Sequence, residues 1–477
     1  MRRAILAAPM LLAACSLGPR HPQTMVAMPP AVAESVIAPV SGAAQKVEAG
    51  IAVRADWWRA FGSDRLNDLV DRALRLNNDL ASAEASLRQA REQGASAAGA
   101  ALPQVDASYQ AQRLQASKTL ANPLPDPDIY LYTLHTAQLT VSYPLDLFGQ
   151  GRSRIASARA AVEVARYRLL AARNTVVANL VNAVITQASL TAQIDAARTA
   201  IQSNAEVLDL LRKRQALGDI GSVDVAAQQT LLATAEGALP PLIRQRDHQL
   251  GLIAMLTGTA PGGLPPSLPL LSDLHLPQTL PAELPSAIIA NRPDVRAADA
   301  QMRGAAADLG TAIAARLPNF TLTASAGGQA TRLADLFASG NPFWSLVGGV
   351  TQPLFHGGTL RHQQRAAEAA LDGAKAQYRS AALQAFADVN DAMSGLRTDA
   401  DALDAASRAN EAAMQNLRFS RRQLELGGVG TLGLLNASAA AAQASSQLIQ
   451  AQSARLSDTV ALFQALGGGV VSQPSKE

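Results

Sequence analysis

Between Pro353 and Pro474 the chain has no proline, although it carries 25 in all. Proline removes a backbone donor and clashes with the preceding turn, so a gap of about 120 residues leaves room for very long helices. Strong helix formers fill it: Ala, Leu, Gln, Arg and Glu. Between Gly357-Gly358 near its start and Gly467-Gly468-Gly469 near its end, the only cluster of breakers is Gly427-Gly428-Val429-Gly430. The pattern predicts one helix of about 67 residues before the glycines and one of about 35 after them. At 1.5 Å per residue the first would be about 100 Å long, beyond the needs of any globular core. Its apolar seam steps by four and three through Val389, Met393, Leu396, Ala400, Leu403, Ser407, Asn410, Met414 and Leu417. A seven-residue period means packing along other helices as a coiled coil. Ser407 and Asn410 interrupt the seam, and so thin a seam suits neighbours packed around a ring better than one apolar core.

The same unit occurs earlier. Gly151 to Leu239 is again free of proline, with breakers at Gly218 and Gly221. Its seam reads Val176, Leu180, Ala183, Gln187, Leu190, Ile194, Ala197, Ile201, Asn204, Leu208, Leu211. The string LLRKRQALGDIGSVDV from Leu210 matches FSRRQLELGGVGTLGL from Phe419 at an offset of 209, which Pro144 and Pro353 share. Pro103 and Pro318 lie 215 apart. The chain is therefore two copies of one unit of about 200 residues.

The N-terminus reads as an export signal. Arg2-Arg3 precede a short apolar run from Ala4 to Leu12, which ends in Leu12-Ala13-Ala14-Cys15. Small residues before a cysteine at this position resemble the bacterial lipobox, in which Cys15 becomes the lipidated first residue. Cys15 is the only cysteine, so no disulfide can form within one chain and no thiol catalysis is expected. Several acyl chains on Cys15 would anchor stably, and Ser16 in place of an aspartate favours the outer membrane. The net charge of +3 falls to +1 without Arg2 and Arg3, and no basic stripe suggests nucleic acid. The domains expected are a signal peptide over 1–14, a lipid-anchored extended segment over 15–56 running on the surface, and a first repeat over 57–260. A proline-rich linker over 261–284, a second repeat over 285–469 and a tail over 470–477 follow.

Each repeat begins with a helix. The first is expected from about Asp64, as cap, to Ala101, behind a hydrophobic plug formed by Trp57-Trp58-Arg59-Ala60-Phe61; the second starts near Leu284. Two strands follow in each. Val105, Ala107, Tyr109 and Ala111 alternate with polar residues, as do Ala137, Leu139, Val141 and Tyr143. Phe320, Leu322, Ala324 and Ala326 repeat this, and Trp344, Leu346, Gly348 and Val350 form a fourth set. Each strand is about ten residues, enough to cross an outer membrane at a tilt. Ten of 18 aromatics fall in the two strand windows, as in the girdle of a membrane barrel. Four strands cannot close a barrel, and lipid does not tolerate an open edge, so protomers must share one; three copies give twelve strands. Thr175 to Ile194 lacks charge, but Asn179, Asn182, Thr186, Gln187 and Gln193 recur in it, so it reads as a bundle helix and not a membrane span. Pro240-Pro241 should kink or break the return helix of the first copy.

Four strings carry a family resemblance: WWRAFGSDRLNDLVDRALRLNNDL from Trp57, ANRPDVRAAD from Ala290, LPNFTLTASAG from Leu317 and ALGGG from Ala465. From about Cys15 to Gly469 the chain resembles the TolC-type outer membrane factors, and among them the NodT-type lipoproteins of resistance-nodulation-division efflux pumps. The resemblance implies a mainly α fold with a β-barrel part. Trimers would form a twelve-stranded outer-membrane barrel, four strands per chain, continuous with a long periplasmic coiled-coil barrel. It implies a homotrimer in outer-membrane lipid, working with a periplasmic adaptor and an inner-membrane pump, without cofactor beyond the lipid on Cys15. The hairpin tips would dock the adaptor through Leu217, Gly218 and Gly221 and through Leu426, Gly427 and Gly430. Family members often carry aspartates just after the second tip. Here Gly433 and Asn436 stand at those positions, with Asp224 in the first copy. The sequence departs from the acidic pattern, and an Asn436 ring is the substitute.

Other chemistry finds little footing. Gly428-Val429-Gly430-Thr431-Leu432-Gly433 has the spacing of a dinucleotide loop but follows a long helix instead of a strand. The six histidines are dispersed without metal-ligand spacing, and no nucleophile-elbow or Walker string occurs. Arg292 and Asp294 read as a helix-start pair. The function expected is a passive duct exporting drugs or other small molecules in a tripartite system. A protein-secretion duct of the same family, a coiled-coil adaptor lipoprotein and an envelope-anchored enzyme are the alternatives.

Overall fold

A computed structural model describes residues 35–37, 42–49, 51, 53–115, 117, 130–260, 262–265, 267–282, 285–426 and 431–469. Cys15, Gly427 and Gly430 lie outside these.

The helix lengths follow the proline gaps. Helix α3 (Gln150–Ala216) and helix α7 (Thr359–Glu425) have 67 residues each, and the return helices α4 (Ser222–Leu256) and α8 (Thr431–Ala465) have 35. All four boundaries repeat at the offset of 209. The leading helices repeat at 215: α2 (Asn78–Gly99) corresponds to α6 (Pro293–Ala314). The offset changes between the first strand and the long helix of each copy, so that span is six residues longer in the first copy.

The chain divides into two compact units. One comprises Ser86–Ala165 and Ala298–Tyr378. It holds strands β3 (Gln104–Gln115), β4 (Leu131–Leu145), β6 (Asn319–Ala330) and β7 (Pro342–Thr351), paired antiparallel in the order β3-β4-β6-β7. The two copies meet at β4 and β6, where Leu139 pairs with Ala326 and Tyr143 with Leu322. Among the described residues the outer edges of β3 and β7 carry no partner strand. Val105, Tyr109, Leu139, Trp344, Leu346 and Val350 are all exposed. Beside the sheet, Met302, Ala306 and Leu309 of α6 pack with Leu371 and Ala374 of α7.

The other unit comprises the described residues of Val26–Ala85, Arg166–Ala297 and Arg379–Glu477. Its core takes Val176, Leu180, Ala183, Leu190 and Ile194 from α3, and Val389, Met393, Leu396, Ala400 and Leu403 from α7. The uncharged window of α3 is thus lined by buried residues, with Gln187, Ser189 and Gln193 buried among them. The seam of α7 thins toward its end, where Met414 is exposed.

Five expectations need correction. The segment before residue 57 does not simply run over the surface. Strands β1 (Ser35–Ile37) and β2 (Gln45–Ala49) pair antiparallel, and β2 pairs parallel with β5 (Thr279–Ala282). Gln45 and Val47 are fully buried. The proline-rich stretch over 261–284 is therefore more than a linker, since it supplies β5 to this sheet. The leading helix of the first copy is two helices, α1 (Asp64–Leu76) and α2, parted at Asn77. Ser63, not Asp64, caps α1, its hydroxyl accepting from the Leu66 amide at 3.5 Å. A serine oxygen one residue outside the helix reaches a free first-turn donor, whereas Asp64 already has helical geometry. Last, α4 runs unbroken through Pro240 and Pro241. Both prolines are exposed, as are Glu236 and Gly237, so the carbonyls that lose donors can turn to water.

Candidate functional site at the hairpin tips and helix joints

The first tip closes because Gly218 takes φ +76°, a left-handed turn that side chains resist. Three bonds fold the chain back: Leu217 N to Lys213 O at 3.2 Å, Gly218 N to Gln215 O at 2.9 Å and Asp219 N to Arg214 O at 3.0 Å. Gly221 is extended and starts α4 without a side-chain cap. An Arg214–Asp219 ion pair of 2.6 Å braces the turn, and Arg214 Nη1 donates to Leu424 O of α7 at 3.5 Å. Beneath it Leu208, Leu211 and Val225 are buried together. Leu217, Val223, Leu426 and Leu432 point outward, all at least two-thirds exposed. These tips present apolar side chains to whatever meets them.

The aperture candidates lie just behind. Asp224 is half-buried in the first turn of α4, where the helix dipole favours its charge. Gly433 is half-buried and Asn436 exposed on α8, whose neighbours Leu434, Leu435 and Ala437 are buried. A polar crossing ties three helices nearby. Gln228 of α4 donates to Asn204 O of α3 at 2.8 Å, and Ser438 of α8 donates to Asn204 Oδ1 at 3.1 Å. Asn204 belongs to the seam read from the sequence, but its partners on α4 and α8 carry no sequence signal.

The sequence reading missed a pair of joints that the duplication could have shown. Asn77 follows α1, and Arg292 follows helix α5 (Pro285–Asn291), 215 residues later. Asn77 Nδ2 donates to Leu256 O at 3.0 Å, and Arg292 Nη1 donates to Ala465 O at 3.0 Å, acceptors 209 apart. Each return helix then ends in a left-handed glycine, Gly258 at φ +66° and Gly467 at φ +90°. A Cβ at Gly258 would lie 2.2 Å from Leu76 O, and one at Gly467 3.3 Å from Asn291 O. Asn77 Oδ1 also accepts from the amides of Asp79 and Leu80, starting α2. In the second copy a charge replaces this neutral joint. Arg292 is buried and grips Asp294 through Nε (3.0 Å) and Nη2 (2.6 Å), and Asp388 of α7 through Nη1 (2.8 Å). Burial works against the ionised forms of Arg292 and Asp294. Their mutual hydrogen bond and charge outweigh it, holding Asp294 below the usual carboxylate range and Arg292 above its own. The Arg292-Pro293-Asp294 string is thus a structural clamp.

Among the described residues no group of three or more His, Cys, Asp or Glu could hold a metal ion. A duplicated chain with a four-stranded sheet and two 67-residue helices, each turning back on a 35-residue one, has the construction of an outer-membrane channel subunit. The outer-membrane channel OprN matches with TM-score 0.85 and 26% identity, over 95% of this chain and 99% of that one. The open-state MtrE outer membrane channel of Neisseria gonorrhoeae matches with TM-score 0.82 and 27% identity, over 95% and 98%. The family model for outer membrane efflux proteins covers residues 69–259 and 284–468, one segment per repeat. The pyoverdine export outer membrane protein OpmQ of Pseudomonas putida is 30% identical over 96% of this chain and 95% of its own length. The toluene efflux pump outer membrane protein TtgC of the same species is 28% identical over 97% and 94%. The chain belongs to the outer membrane efflux protein family. It is the outer membrane channel component of an efflux system.

Proposed function

We propose that three copies of this chain form a passive duct through the outer membrane and periplasm, anchored by lipid on Cys15, with no catalysis of its own. The open sheet carries this reading. Four strands in ladders of ten to twelve pairs leave both outer edges unpartnered among the described residues, and their large apolar side chains are exposed. In lipid such edges must pair, and twelve strands from three copies close a barrel of an allowed even number. Relatives named for pyoverdine and toluene support small molecules as cargo. The exposed leucines of the tips suit an apolar grip by a periplasmic adaptor, which would link the duct to a resistance-nodulation-division pump. Asp224, Gly433 and Asn436 would line the aperture.

The experiment is complementation of a deletion strain. Gly218→Pro, or Gly427→Pro at the corresponding place in the repeat, abolishes drug resistance without lowering the level of assembled protein, because proline cannot take the positive φ of Gly218. Full resistance in both variants would remove the tips as the adaptor site. The assembled protein in detergent has about three times the 49.6 kDa chain mass, apart from the signal and lipid; a monodisperse monomer with full β content overturns the shared barrel. Mass spectrometry of the mature N-terminus finds acylated Cys15, and an unmodified cysteine there would end the anchor proposal.

A further inference from the structure

Strands β3, β4, β6 and β7 keep one register, so each row across the sheet sets four side chains on one face. Ala107, Leu139, Ala326 and Trp344 form one such row. The adjacent row, Asp106, Thr140, Ser325 and Ser345, points to the opposite face. Alternate rows repeat the contrast, so one face is apolar and the other mostly Gln, Ser and Thr. The acidic, basic and histidine side chains of these strands are Asp106, Arg113 and His135. Arg113 and His135 fall on the apolar face, where the Tyr109 hydroxyl bonds His135 Nδ1 at 2.8 Å. Asp106 is therefore the one charge on the polar face of the described strands. It is exposed, and its row offers hydroxyls but no cation. It stands near the start of β3, close to the end of α2 at Gly99.

We propose that Asp106 sets the ion preference of the barrel, its symmetry copies forming a ring of carboxylates in the lumen that favours small cations over anions. The inference rests on the three-copy barrel proposed above. In lipid a barrel turns its apolar face outward and its polar face to the lumen, which puts Asp106 inside with no other strand charge to offset it. Twelve strands about 4.8 Å apart and tilted about 40° place the backbone about 12 Å from the axis, and an inward carboxylate about 9 Å from it. Three such charges in water, screened as at about 0.1 M salt, enrich monovalent cations on the axis about 2.5-fold and deplete anions by a similar factor. At about 1 M the screening length falls to about 3 Å and the enrichment nearly vanishes. The preference is therefore a property of low ionic strength, and it is independent of the hairpin tips.

The test is the potassium-to-chloride permeability ratio of purified full-length protein in planar bilayers, read from reversal potentials in KCl gradients. At about 0.1 M, Asp106→Asn lowers the ratio at least about twofold and Asp106→Lys lowers it further, while at about 1 M the variants and the wild type converge. Charge restoration tests the face. Asp106→Cys lowers the ratio like Asp106→Asn, and 2-sulfonatoethyl methanethiosulfonate, which adds a negative group to the thiol, raises it again. The same reagent leaves the ratio of Ala107→Cys and of the wild type unchanged. The proposal is overturned, with the barrel intact, if channels form and Asp106→Asn and Asp106→Lys keep the wild-type ratio at about 0.1 M. It is overturned likewise if the reagent acts on Ala107→Cys and not on Asp106→Cys, since the faces are then reversed. Asp106→Asn that assembles poorly but keeps the wild-type ratio makes Asp106 a guard of the free β3 edge and also overturns it. A wild type that is monomeric in detergent and forms no channels removes the shared barrel, and this proposal with it.

Discussion

Arg292→Met should open the joint of the second copy far more than Asn77→Ala opens that of the first. The methionine fills similar space but abandons Ala465 O, Asp294 and Asp388 together. Removing one partner of a buried pair costs about 3–5 kcal/mol. The two carboxylates are 45% and 34% exposed, so water recovers part of that loss. About 3 kcal/mol remains, a factor of about 100 in local opening. Asn77→Ala loses a neutral bond to Leu256 O and the cap of α2, about 1–2 kcal/mol, or about tenfold. Hydrogen exchange read by mass spectrometry on peptides covering 285–297 and 459–468 reports the first, and peptides covering 64–80 and 250–258 the second. Arg292→Lys keeps a point charge without the planar fork and falls between wild type and methionine. A depressed folded pKa contributes stability above the ordinary value of 3.8 and loses it only as pH falls further, so the ranking is the same at pH 6 and pH 8. Exchange in Arg292→Met within threefold of wild type at 285–297 would refute the clamp.

Gly258→Ala should cost about 2–4 kcal/mol, through the left-handed backbone and the contact with Leu76 O, while Gly262→Ala, at φ +92° with open space, costs about 1 kcal/mol. Equal thermal melting of the two variants contradicts this. Asp458 is pushed up to about 7 by burial and by Asp399, so the folded protein loses stability as pH rises from the usual carboxylate range through 7. Asp458→Asn then gains on the wild type at pH 8 relative to pH 5, and a pH-independent difference in melting temperature rules the account out. In the proposed trimer, Asn436→Asp should make the channel more cation-selective in planar bilayers, because three carboxylates lining the proposed aperture would focus negative potential on one axis. An unchanged selectivity ratio removes Asn436 from the aperture.

The long elements were legible because their signals are local and repeated. Proline spacing placed both pairs of 67- and 35-residue helices, and alternation placed the strands around Tyr109, Val141, Leu322 and Leu346. What stayed hidden depends on contacts far along the chain. Val47 carries no pattern that calls for Leu280, its strand partner 233 residues away. Asn77 has an ordinary helix propensity, and only the carbonyl of Leu256 and the amides of Asp79 and Leu80 make a break there favourable. Arg292 was visible as a helix-start residue, but its grip on Asp388 was not. The tip glycines were readable from composition. Gly218 does take the expected turn, while Gly427 and Gly430 rest on the repeat alone.

The two return helices share a length but not a mechanics. In α8 every backbone donor past the first turn can join the ladder. In α4 the consecutive prolines withdraw two donors near the middle, leaving the carbonyls of Glu236 and Gly237 to solvent. A rod with two missing struts on one flank yields there first. Bending load on the first hairpin is therefore absorbed around 236–241, whereas the second hairpin passes the same load along its whole length. One duplicated chain carries a compliant spring and a stiff strut side by side in its sequence.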